Sequence, residues 1–213
     1  GSINNLITPL SYISTVENTT ISSGGADDEA ADSLRERIRQ APEKFSNAGS
    51  RGAYRYHTLS AHQSITDVAI TSPSAGIVAI YLLTKDGNPT EEIIKIVQNY
   101  LSDDKIRPLT DCVKIYSSEK VDFEIKAKIY LYKDSDADSV MKTIEDKIKE
   151  YKISLSEKLG KDVIQTQIIS ILNSIYGVFK VVLGTPITDI DILEYQWANL
   201  QNWKISIGGY ADE

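Results

Sequence analysis

From Val121 to Leu131, within VDFEIKAKIYLYK, apolar and polar residues alternate without a break. Val121, Phe123, Ile125, Ala127, Ile129 and Leu131 fall on one face, and Asp122, Glu124, Lys126 and Lys128 on the other. A period of two over this length predicts a long antiparallel strand with one buried and one wet face. The period then lengthens to that of a helix. From about Ala137, Val140, Ile144, Ile148 and Tyr151 line one side. Beyond Leu159-Gly160-Lys161-Asp162, Ile164, Ile168, Ile171 and Ile175 recur at four, three and four. That spacing predicts a second helix, with Asp162 and Gln165 as a capping box and Gly177 at its C′ position. Val178–Leu183 and Trp203–Ile207 read as strands.

A similar succession precedes it. Thr66–Thr71 alternates around Val68 and Ile70, and Gly76–Leu83 is a nearly continuous apolar run, the mark of a central strand. Asp86-Gly87-Asn88-Pro89 turns the chain. Asn88, with Pro89 and Glu91 behind it, predicts a capped helix burying Ile93, Val97, Tyr100 and Leu101. Val113–Tyr116 completes the set. Before this, DDEAADSLRERIRQ places acids first and arginines last, as a helix dipole favours, with Leu34, Ile38 and Ala41 as a narrow apolar stripe. Pro42 interrupts that helix, a small-residue loop spans 46–52, and a second helix is expected over about Ala53–Ser60. Residues 3–26 are rich in Ser, Thr and Asn and read as an extended linker with one short strand. Gly1-Ser2 reads as a cloning remnant, and the absence of an initiator Met suggests an excised fragment. The expected fold is therefore α+β. A linker over 1–26 is followed by a helical hairpin with a β-β-α-β module over 27–118 and a β-α-α-β-β module over 119–213, with mainly antiparallel sheets.

Composition narrows the function. The 213 residues are 41% hydrophobic and 25% charged, enough to bury a sizeable core. A net charge of −7 argues against duplex nucleic-acid binding, which needs clustered Lys and Arg against phosphates. The single cysteine, Cys112, allows neither an internal disulfide nor a cysteine metal site. No apolar stretch is long enough to insert in a membrane as a helix, and no signal peptide opens the chain. Asn18-Thr19-Thr20 matches a glycosylation sequon but reads as turn chemistry.

Three stretches invite a chemical reading. In DSDADSVMKTIE, Asp134, Asp136, Asp138 and Glu145 occupy positions 1, 3, 5 and 12 of a calcium loop, yet Ser139 stands where the loop's turn asks for glycine. The plainer account is a helix N-terminus whose acids match the dipole. His57 and His62, five apart, sit about 140° apart on a helix and do not share a ligand, so each reads as a surface or interface residue. Gly49-Ser50-Arg51-Gly52 has the form of the GXXG loop of RNA-binding KH domains, against the plainer reading of a tight turn. Arg51, Tyr54, Arg55 and Tyr56 follow at that turn. Tyr and Arg are the residue types that anchor protein–protein contacts, so these four are the candidate interface residues. No catalytic, metal-binding or cofactor-binding residue is assigned.

The order of motifs is more specific than any one of them. Gly24-Gly25-Ala26-Asp27, Leu34-Arg35 with Arg37-Ile38, Ala41-Pro42-Glu43, Ala48-Gly49 with Gly52-Ala53-Tyr54, Asp67-Val68 with Ser72-Pro73, and Arg107-Pro108-Leu109-Thr110-Asp111 come in succession. Leu159-Gly160-Lys161-Asp162, Gly177-Val178, Pro186 and Gly208-Gly209 continue the series. This succession, over about residues 20–213, resembles the C-terminal part of the baseplate protein J family of contractile-tailed phages and phage-like particles. The resemblance implies a non-enzymatic wedge component, assembled in the host cytoplasm into the tail baseplate around the hub, with a part in the switch that triggers sheath contraction. It further implies as partners other copies of the chain and other wedge proteins, such as tail protein I and the lysozyme-like baseplate protein W, and neither nucleic acid nor a cofactor. A KH-like RNA-binding module and a calcium-dependent binding domain stand as the alternatives.

Overall fold

Two apolar strands organise the fold, and each becomes the centre of its own sheet. The computed structural model describes residues 31–42, 50–103, 106–108 and 110–211, together with positions 4, 7, 12, 13 and 15–19. Most of the expected linker, the start of the first helix at 27–30 and most of the 46–52 loop, Gly49 included, lie outside the described residues. The elements run α1 (Ala31–Gln40), α2 (Arg51–Ala61), β1 (Ile65–Ser74), β2 (Ile77–Thr84), α3 (Glu91–Leu101) and β3 (Cys112–Ser117). They continue as β4 (Glu119–Tyr132), α4 (Ala137–Ser156), α5 (Gln165–Asn173), β5 (Val178–Thr185) and β6 (Gln196–Ala211).

The α+β class is as expected, and both sheets are mixed. In the first, β2 lies between β1 and β3, antiparallel to β1 and parallel to β3. Helix α3 makes the crossover that a parallel pair requires. In the second, β4 lies between β5 and β6, antiparallel to β5 and parallel to β6. The sheets are therefore not mainly antiparallel. Alternation reports which face of a strand is wet, but not the direction of its neighbours.

The inner face of β4 is buried as its alternation requires, with Ile125, Ile129 and Leu131 fully enclosed. Against it pack Val140, Ile144, Ile148, Tyr151 and Leu155 of α4 and Ile168 and Leu172 of α5. The first sheet has its own core of Tyr54, Ile65, Val68, Ile80, Leu82, Val97, Leu101 and Val113. These two clusters share no residue. Leu34 and Ile38, the expected stripe of α1, are 40% and 62% exposed, and Tyr100 is also exposed.

Neither predicted capping box forms. Thr90, not Asn88, caps α3, its Oγ1 accepting the Ile93 N–H at 3.4 Å. Asn88 instead accepts a hydrogen bond from the Trp197 indole at 3.2 Å. At α5, Asp162 accepts the Ile192 N–H at 2.7 Å, while Asp189 accepts the Gln165 N–H at 2.8 Å. In both places the side chain took a partner distant in sequence.

Tyr151 is buried, and among the described residues its hydroxyl meets no hydrogen-bond partner. An unmade buried hydrogen bond costs about 1 kcal/mol or more, so Tyr151→Phe is expected to raise stability by about that amount. Burial also pushes this phenol up to about 12. An unfolded tyrosine releases its proton near pH 10 and the folded one later, so the unfolded state binds fewer protons in between. Stability therefore falls from about pH 10 to about 12. In Tyr151→Phe that decline should flatten; denaturant titrations at pH 8 and 11 read both effects, and unchanged midpoints would refute the assignment.

Candidate functional site

Helix α2 begins where the candidate residues cluster. Ser50 caps it, its Oγ accepting the Ala53 N–H at 3.1 Å. Arg51 and Gly52 thus lie in the first helical turn and not in a loop, while Gly49 lies outside the described residues. Tyr54 is 3% exposed and points into the first core. Its hydroxyl donates to Asp111 Oδ2 at 2.8 Å, and burial, reinforced by that carboxylate, pushes the phenol far up. Arg55 donates from Nη1 to the Val68 carbonyl and from Nη2 to Asp67 Oδ1, each at 2.5 Å. Both residues therefore fasten α2 to its own sheet. Tyr56 is half-buried, with its ring edge-on to His57 at 5.4 Å between centroids. Arg51 is exposed. Of the four, only Tyr54 is buried; Arg51 is exposed, and Arg55 and Tyr56 keep part of their surface.

The histidines part company. His57, read from sequence as a surface or interface residue, is 9% exposed, enclosed by Tyr56 and Tyr100. His62 caps the end of α2, and its Nδ1 accepts the Ser64 N–H at 3.2 Å. The calcium reading is overturned as well. Asp136 is the N-cap residue of α4, Asp138 lies in its first turn, and Glu145 lies in mid-helix 4.0 Å from Lys149. A helix that starts at Ala137 leaves no loop to wrap an ion. Among the described residues no group of three His, Cys, Asp or Glu is placed to hold a metal ion.

Two features escaped the sequence reading. The first is a seam between the sheets. Asp67, on β1, accepts the Leu159 N–H at 2.9 Å through Oδ2 while its Oδ1 serves Arg55. Trp197, on β6, lays its ring against Gly87, where a Cβ would stand 3.1 Å from the indole. Tyr195 stacks on Tyr81 at 5.0 Å, and Tyr81 on Tyr116 at 5.4 Å. Beside this seam opens a cleft of about 1310 Å³, walled by α1, α2 and β1 on one side and by Glu157–Gly160, Ile192 and Glu194 on the other. Arg51 stands at its edge and also lines a smaller pocket of about 240 Å³.

The second is an aromatic patch. The wet face of β4 ends its run of charges at Lys128, and Tyr130 and Tyr132 follow. Tyr132 and Phe179 meet edge to face at 5.4 Å, Lys180 lies over the Tyr130 ring, and Phe179, Val182 and Tyr176 are exposed. Exposed aromatics grouped on one face mark an interaction surface. The signal was in the sequence, at the point where lysine gives way to tyrosine.

Comparison with known proteins adds a second line. Residues 46–117 match the Baseplate J-like central domain, and residues 123–206 match the Baseplate J-like protein C-terminal domain. Over 203 residues the chain is 32% identical to baseplate protein J of Escherichia phage P2, covering 94% of this chain and 66% of that protein. In structure it resembles a chain of the anti-feeding prophage (AFP) baseplate, solved by cryo-EM with 6-fold symmetrisation. The TM-score is 0.56 at 15% identity, over 92% of this chain and 47% of that one, a likeness of fold. The chain thus spans just under two thirds of the first relative and about half of the second.

Proposed function

The chain belongs to the Baseplate J-like family, and on that premise we propose that it is a structural component of the baseplate of a contractile phage tail or phage-like particle. The observation that carries this reading is the succession, on one chain, of the family's central and C-terminal domains in that order. It acts by protein–protein assembly around the tail hub and holds the state from which sheath contraction is triggered. Its partners are neighbouring copies, tail protein I and the lysozyme-like baseplate protein W, and it performs no catalysis. Immunogold labelling of particles from an induced lysate should put gold at the baseplate end, with a band on blots of denatured particles. Absence of the protein from those blots refutes the reading.

Within it, Arg51 and Tyr56 are the contact residues, and Tyr54 and Arg55 hold the helix that presents them. The pairing of an aromatic with an Arg anchor supports this. Arg51→Ala with Tyr56→Ala should lower particle yield at least tenfold, as loss of about 1.4 kcal/mol or more at a repeated interface implies. The thermal midpoint of the chain alone should barely move. Normal yields from the double variant, measured by complementation of a gene-deleted prophage, would remove both residues from the interface.

A further inference from the structure

We propose that the two sheets are held together by a releasable latch, built from Asp67, Asn88, Trp197 and the Tyr81–Tyr195 pair, and that the second domain pivots at Ser118 when it opens. Four observations point there. The hydrophobic clusters of the two domains share no residue, so no common core welds them. Among the described residues, no helix or strand of one domain packs along an element of the other; the contacts come from loops and single side chains. Those contacts are polar or aromatic: Asp67 to the Leu159 N–H at 2.9 Å, the Trp197 indole to Asn88 at 3.2 Å, and Tyr195 on Tyr81. The seam is also incompletely filled, with the cleft of about 1310 Å³ running beside it. Interfaces that are small and polar leave domain rotation as the default, whereas a continuous apolar core forbids it.

The pivot is short. β3 ends at Ser117 and β4 begins at Glu119, so Ser118 alone joins them. Its N–H extends the β2 ladder by bonding the Leu82 carbonyl at 3.1 Å, while the Glu119 N–H already bonds Tyr195 of the second domain at 3.2 Å. The change of allegiance falls between two successive amides. Asp67 is the part of the latch that both domains share. One oxygen holds Arg55 and with it α2, and the other holds the turn after α4. The latch does not rest on the assembly reading, and it is tested on the chain alone.

In the 213-residue chain, Asp67→Ala combined with Asn88→Ala and Tyr195→Ala should raise the radius of gyration in X-ray scattering. Hydrogen exchange at the Leu159 amide should quicken roughly tenfold or more, as loss of a charge-assisted bond implies. Amides of Ile80 and Ile129 should keep their protection. Arg55→Gln serves as the control: it takes the guanidinium from the other oxygen of Asp67, which keeps the Val68 N–H at 2.9 Å, and should leave Leu159 exchange unchanged. The proposal fails if the triple variant matches wild type in both readouts, or if Ile80 and Ile129 lose protection together with Leu159. It also fails if Leu159 exchanges as fast in wild type as an unprotected amide.

Discussion

Ile129→Ala lowers the unfolding free energy of the second domain by about 4 kcal/mol, the upper part of the range for a large aliphatic side chain cut back in a closed core. Ile129 has no exposed surface and sits on β4, opposite Val181 of β5 and Ile207 of β6. Strands on both sides and two helices above prevent collapse around the lost atoms, so the cavity term adds to the lost transfer energy. For a domain of this size the thermal midpoint should drop by roughly 20 °C. Ile207 is the internal control. It pairs with Ile129 in register but is 37% exposed on an outer strand, so Ile207→Ala should cost about 1 kcal/mol or less. Equal losses from the two substitutions, read by urea denaturation, would mean that β4 is not the centre of that core.

The second large effect is expected at Gly177. Its φ is +96°, a conformation that side-chain-bearing residues occupy at a cost of about 1–2 kcal/mol. A Cβ there would also lie 2.8 Å from Ser135 Oγ and 2.9 Å from Val140 Cγ2, closer than carbon tolerates. Ser135 is not free to yield, because its hydroxyl donates to the Gly177 carbonyl at 3.2 Å, and Val140 is buried on the inner side of α4. Gly177→Ala should therefore cost about 3 kcal/mol, with strain and overpacking adding. In a double-mutant cycle, Val140→Ala should recover part of that loss, leaving the backbone share. Strict additivity of the two substitutions would show that the contact is not what makes the glycine necessary.

These residues also show which parts of the fold could be read in the chain. The inner face of β4 and the stripe of α4 follow from local periodicity, because each buries one face against a single layer. Gly177 was read as the C′ residue of α5, but the C-cap is Ser174 and Gly177 lies three residues beyond it, in the turn on which Ser135 and Val140 close. Caps failed where a side chain had a better partner far away, as Asn88 with Trp197 and Asp162 with Ile192. A motif of three residues holds no information about residue 197. The candidate site divides in the same way. Tyr54 and Arg55 have the composition of interface anchors, and the fold also gives them partners within the chain, Asp111 and Asp67. Both aspartates stood in the ordered series that carried the family resemblance; only the fold gives them partners.

The place of β6 has a consequence for synthesis. It is the last described element, Gln196–Ala211, and it forms the whole parallel flank of β4, from Glu119 beside Gln196 to Tyr132 beside Ala211. The first sheet is complete once Ser117 has left the ribosome, whereas the second lacks one side until roughly ninety further residues have followed. At ordinary rates of elongation that interval lasts on the order of 5–20 s. Through most of it, β4, the central strand of the second core, presents an unpaired edge, the form in which strands find the wrong partner. Nascent chains stalled before Gln196 should consequently be held by chaperones, and those released beyond Ala211 should not.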